Sequence, residues 1–216
     1  MDTNDYWLLD SVLEQKHALS LLGMESVEAI FDRPCHGMQR GMLIEKLALL
    51  FGQGLLVASS EERGEFTPSA DEIAQALDGT LDFDYGLTAA GGAAWEAVSK
   101  PDWNRFVDGV FGEDSEDEID SQRRERAGAF CCADKAHLEK FMETIHLRGI
   151  VPHVPSIKWD EVSPWQALYW KQLPHAHRAR FIGVHGPHVP EEHMIEEYRG
   201  LLNWHQSHEG LMLPGQ

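Results

Sequence analysis

The chain has 216 residues, 43% hydrophobic and 25% charged, with seven Trp and nine Phe, which excludes global disorder and suffices for one large or two small domains. Its formal net charge of -18 disfavours nonspecific contact with nucleic acid or anionic lipid and favours basic partners. No apolar run approaches the roughly 20 residues that cross a bilayer, the N-terminus is acidic where a secretory signal would be basic, and Cys35, Cys131 and Cys132 form no disulfide or zinc framework, so the chain reads as cytoplasmic.

In chain order, Trp7, Leu8, Val12, Leu19 and Leu22 recur at intervals near 3.6 and predict a helix that Gly23 ends. A shorter helix follows over 26–31. Met42, Leu43, Leu47, Leu50 and Phe51 form the stripe of a third, closed by Gly52 and Gly54 before a strand over 55–58. Thr67-Pro-Ser opens a helix over 67–77, and 83–88 reads as a strand whose Thr88 caps a helix through Trp95 and Val98.

Residues 113–120, Glu-Asp-Ser-Glu-Asp-Glu-Ile-Asp, form a self-repelling block of the kind that marks a linker or loop. It separates an acidic domain over 1–112 from a mixed α/β domain over 121–216. The first part holds 19 acidic and 7 basic side chains, the part after it 17 and 11, and ten of the twelve histidines follow residue 133. Beyond the linker the pattern predicts a strand over 126–132, a helix capped by Asp134 and ended by Gly149, and a strand over 157–162. A short aromatic helix over 164–173, a strand over 178–184 and a last helix over 190–205 complete an α+β fold.

The sharpest local pattern is Leu43-x3-Leu47-x2-Leu50-x3-Gly54-Leu-Leu56 followed later by Tyr85-Gly-Leu-Thr-x2-Gly91. It resembles the winged-helix domains of bacterial regulators, in which a recognition helix runs into a strand ending Gly-Leu-Leu and a second wing strand reads Tyr-x-Leu-Thr-x2-Gly. The resemblance covers roughly residues 5 to 100 and implies a helical unit with a small β wing, although here a predicted helix over 67–77 separates the two strands. A longer segment, Tyr85-Gly-Leu-Thr-x2-Gly-Gly-x2-Trp-Glu-x4-Pro-Asp-Trp103, resembles one in uncharacterised bacterial proteins and implies no activity.

A DNA-reading helix presents Arg, Lys, Asn or Gln to phosphates and base edges. Residues 36–52 offer only His36, Gln39, Arg40 and Lys46, while the wing carries Glu61, Glu62, Glu65, Asp82 and Asp84 around a lone Arg63. Such a surface repels DNA. The leading expectation is therefore a non-enzymatic module that binds a basic protein, in the manner of an immunity protein or anti-toxin, with Trp103, Trp165, Tyr169 and Trp170 as its candidate partner surface. A winged-helix regulator, joining Arg33, Arg40 and Lys46 by dimerisation, is one alternative. A metalloenzyme is the other: His185-x2-His188-x4-His193, beside Glu191, Glu192, His205 and His208, has suitable donors but no complete ligand set. Nucleophile elbow, Walker loop and dinucleotide fingerprint are all missing, so no catalytic residue and no cofactor is expected. The sequence leaves the oligomeric state open.

Overall fold

The computed structural model describes residues 1–24, 27, 31, 36–112, 125–187 and 196–205, in which helices and antiparallel sheets make an α+β fold. The chain divides into two compact units. One comprises Met1–Lys100, Leu168–Lys171 and Gln206–Gln216, the last stretch outside the described residues; the other comprises Pro101–Ala167 and Gln172–His205.

In the first unit, α1 (Thr3–Asp10) starts on a capping box between Asp2 and Asp5 and buries Tyr6, Trp7, Leu8 and Leu9. It is much shorter than the helix expected to reach Gly23. The chain leaves α1 through a turn into β1 (His17–Ala18) and a 3-10 helix over Leu19–Gly23. Two causes are visible. The carbonyls of Val12 and Leu13 accept hydrogen bonds from Tyr169 Oη and Trp170 Nε1 rather than from helix amides. Gly23 ends no α-helix; a Cβ there would lie 2.6 Å from the Leu77 carbonyl oxygen. Of the helix expected over 26–31, Val27 and Phe31 are helical and buried, and the rest lies outside the described residues.

Next, α2 (Arg40–Gly52) buries Leu43, Leu47, Leu50 and Phe51. The hairpin of β2 (Leu56–Ser60) and β3 (Gly64–Phe66) follows, then α3 (Ala70–Leu77), capped by Ser69 with Glu72 in a capping box. β4 (Asp84–Leu87) leads through the Thr88 cap into α4 (Ala89–Ser99). The four strands form an antiparallel sheet in the order β1-β4-β2-β3, with Leu56 opposite Leu87 and Ala58 opposite Tyr85. The two strands of the Gly-Leu-Leu and Tyr-Gly-Leu-Thr motifs are thus direct neighbours.

The second unit begins earlier than the acidic block. β5 (Val107–Phe111) pairs along β6 (Glu125–Cys132), Val107 opposite Cys132, so the boundary falls after Lys100 rather than at 112; residues 113–120 lie outside the described residues. Asp134 caps α5 (Lys135–Thr144), and a 3-10 turn ends at Gly149 in the left-handed conformation, as its sequence predicts. β7 (Ile150–Pro152), β8 (Lys158–Val162) and β11 (Ala176–His185) complete the sheet, in the order β5-β6-β11-β7 with β8 also against β11. The aromatic segment over 164–173 is not a helix. It forms β9 (Trp165–Leu168) and β10 (Lys171–Leu173), because Trp165 and Ala167 are buried on either side of exposed Gln166, a period of two. Of the last helix, α6 (Glu196–Leu202) is described.

One face of the second sheet is covered. Phe130, Cys132, Ala179 and Phe181 pack with Leu138, Phe141, Met142 and Ile145 of α5 and its extension and with Tyr198 and Leu201 of α6. No helix of the described residues is long and apolar enough to cross a membrane.

Candidate protein-binding surface

In the first unit, the end of β2, the hairpin turn and the segment entering β4 enclose a cleft of about 530 Å³. Its base is aromatic: Phe66 and Phe83 meet edge to face with centroids 5.4 Å apart. Glu61, Glu62, Asp82 and Asp84 line it, all exposed and none in an ion pair among the described residues. Arg63, the one cation of the lining, is already held. Its guanidinium lies 3.6 Å from the Phe66 centroid and bonds Glu72 at 2.6 Å. The Ser69 amide above all, then that arginine and the Ser69 hydroxyl, hold the Glu72 carboxyl down at about 2.

Four more cations of this unit are paired in the same way, whereas Lys100 is exposed and in no ion pair among the described residues. Lys16 meets Glu65 at 3.1 Å, Arg40 meets Asp78 at 2.6 Å, and Lys171 meets Glu96 at 2.5 Å. Lys46 bridges Asp2 and Asp5 at 2.5 and 2.8 Å, an arrangement that lowers the Asp2 carboxyl and raises the lysine. Arg33 lies outside the described residues. The exposed positions of α2 are Arg40, Gly41, Met42, Glu45, Leu49 and Gly52, of which Arg40 is paired with Asp78; Met42 and Leu49 are nearly half exposed. Neither the wing nor α2 offers phosphates a free cation.

The long glycine-rich motif has a separate, structural explanation. Gly86, Leu87, Gly92, Trp95 and Glu96 of that motif receive or support Leu168–Lys171. A Cβ on Gly86 would meet Tyr169 Oη at 2.9 Å, and one on Gly92 would meet the Trp170 ring at 2.0 Å. Tyr169 Oη accepts from the Leu87 amide and donates to the Val12 carbonyl; burial raises its pKa. Trp170 donates to Leu13 and packs edge-on against Trp95, whose indole N–H donates to Asp10 at 2.7 Å in the core. Gly91 admits the backbone of the strand behind it, where a Cβ would fall 1.9 Å from the Leu55 oxygen.

Of the aromatic residues expected to form a partner surface, Trp165 is buried and Trp103, Tyr169 and Trp170 are half-buried, each with contacts inside its own unit. Tyr169 and Trp170 fill the slot just described. Trp165 is buried and stacks on Phe106, and Trp103 packs against Phe106 and Trp204. Of the metal candidates, His185 is exposed with its ring against Phe111, while His188 and His193 lie outside the described residues. No group of three metal-ligating side chains occurs among the described residues. Burial pushes the Cys131 and Cys132 thiols up to about 11, the reverse of an activated nucleophile, and Cys35 lies outside the described residues. The acidic residues of the cleft were visible in the sequence as a reason against DNA binding; that they converge on an aromatic base required the hairpin and β4 to be paired. Comparison with known protein families, curated proteins and solved structures finds no match.

Proposed function

We propose that the protein is a non-enzymatic binding module whose first unit, a winged-helix-like scaffold, engages a basic protein through the acidic cleft. The observation that carries this reading is the contrast between the paired cations Lys16, Arg40, Lys46 and Arg63 and the unpaired carboxylates of Glu61, Glu62, Asp82 and Asp84. A cleft walled by one sign of charge concentrates its field and accelerates capture of an oppositely charged surface. The half-exposed Met42 and Leu49 of α2 add apolar anchors of the kind that supply affinity once the partner has been steered in. Neutralising a basic, nuclease-like protein, as an immunity protein or anti-toxin does, fits both features. Affinity capture from the native host should recover a stoichiometric basic protein that moderate salt releases; recovery of none would count against the binding class.

A further inference from the structure

The second unit has one sheet face that breaks the usual rule for a sheet covered on one side. Such strands alternate apolar inward and polar outward. Here the inward positions are Phe130, Cys132, Ala179 and Phe181, and one stretch of the outward face is also small or apolar: Ala127 and Ala129 on β6, Ile182 on β11 and Val110 on β5, with Asp108, Arg178 and Arg180 as its charged outward neighbours. Alanine is a poor strand former, and these strands read as those of a sheet covered on both faces. Val110 is 45% exposed. The four residues floor a trough of about 470 Å³, with Lys158 and Arg180 at its side. Ser156, bonded through its hydroxyl to the Ile182 amide and the His153 carbonyl, closes the adjoining wall.

The charges beside this floor are ordered by register. Arg178 and Arg180 share Asp160, the first through two bonds of 2.8 and 2.9 Å, the second at 2.7 Å. Lys158 stands opposite Arg180 on β8, exposed and in no ion pair among the described residues. Asp108 and Glu125 also stand on this face of β5 and β6, but the lining of the trough itself holds two cations, Lys158 and Arg180, and no carboxylate, in a chain of net charge -18. A polyanion would feel the repulsion of the whole chain, which grows with its charge, whereas a single negative charge on an apolar body would meet mainly the local cations.

We infer that this trough binds a small amphiphilic monoanion, an apolar carboxylate whose body lies on Ala127 and Ala129 and whose charged end meets Lys158 and Arg180. The pairing of an apolar concavity with a few convergent polar groups is the ordinary composition of a small-ligand site. Calorimetric titration with octanoate below its micellar concentration tests it, with 1-octanol as the uncharged counterpart. Saturable binding is expected for octanoate, with about tenfold weaker binding of the alcohol. Lys158→Gln, an exposed change, should weaken octanoate by a similar factor, and Ala129→Phe, which fills the floor without altering charge, should abolish it. Absence of saturable binding, equal affinity for acid and alcohol, or unchanged affinity in both variants would overturn the assignment.

Discussion

In the first unit, Lys16, Arg40, Lys46, Arg63 and Lys171, though not the exposed Lys100, each end on a carboxylate of that unit, and Gly86, Gly91 and Gly92 are filled to contact by neighbouring backbone or side chains. In the second, Lys158 stands in no ion pair among the described residues, and Ala127 and Ala129 face an open trough. The difference teaches that a small residue takes its meaning from what stands against it. Gly86, Gly91 and Gly92 in the first unit are spaces already occupied. Ala127 and Ala129 in the second line a space left open beside two cations, Lys158 and Arg180.

Stability measurements can break that comparison. Gly91→Ala should destabilise most, by about 3 kcal/mol or more in urea unfolding, because the new Cβ falls 1.9 Å from a backbone oxygen that cannot move aside. The sign is the sharp part, since glycine to alanine inside a helix otherwise stabilises by up to about 1 kcal/mol. Gly92→Ala should cost about 2–3 kcal/mol by driving the Trp170 ring from its slot, with a red-shifted tryptophan emission as its signature. Thr88→Ala removes the cap that accepts from the Gly91 amide and should cost about 1 kcal/mol.

Smaller effects sharpen it. Glu72 has a carboxyl lowered to about 2 in the fold, so its contribution is fully present above the ordinary carboxylate range and is lost as pH falls from about 4.5 towards 2. Glu72→Gln should flatten that part of the acid limb of a stability–pH profile; an unchanged limb would remove Glu72 from the account. Least of all, Ala127→Val on the trough floor should alter stability by no more than about 0.5 kcal/mol in urea unfolding, because its side chain faces open space. A large cost there would mean that the face is packed.

Much of this architecture was legible in the sequence where one physical signal acted alone. α2, α3 and α4 follow from stripes and caps, and β6, β8 and β11 fall where the sequence places strands over 126–132, 157–162 and 178–184. The expectation failed where a distant segment overrode the local pattern. Residues 7–22 have helical spacing, but Tyr169 and Trp170 take the carbonyls a helix would use. The aromatic run over 164–173 has composition suited to a helix face, and only the alternation of Trp165, Gln166 and Ala167 marks a strand. Composition alone does not separate a core from a surface in this run, since clustered tryptophans serve cores and interfaces alike. Carboxylates of the cleft were individually conspicuous, but Glu61 and Asp84 become neighbours only once Ser59 stands opposite Asp84 in the sheet.

The most direct test of the binding account compares two neutralised variants in affinity capture from the native host. One carries Glu61→Gln, Glu62→Gln, Asp82→Asn and Asp84→Asn in the cleft; the other carries Glu45→Gln and Asp71→Asn on helices outside the cleft lining. Loss of the salt-sensitive basic partner from the cleft variant alone is the predicted result. Retention of that partner by the cleft variant, or equal loss from both, would contradict the assignment of the cleft as the binding surface.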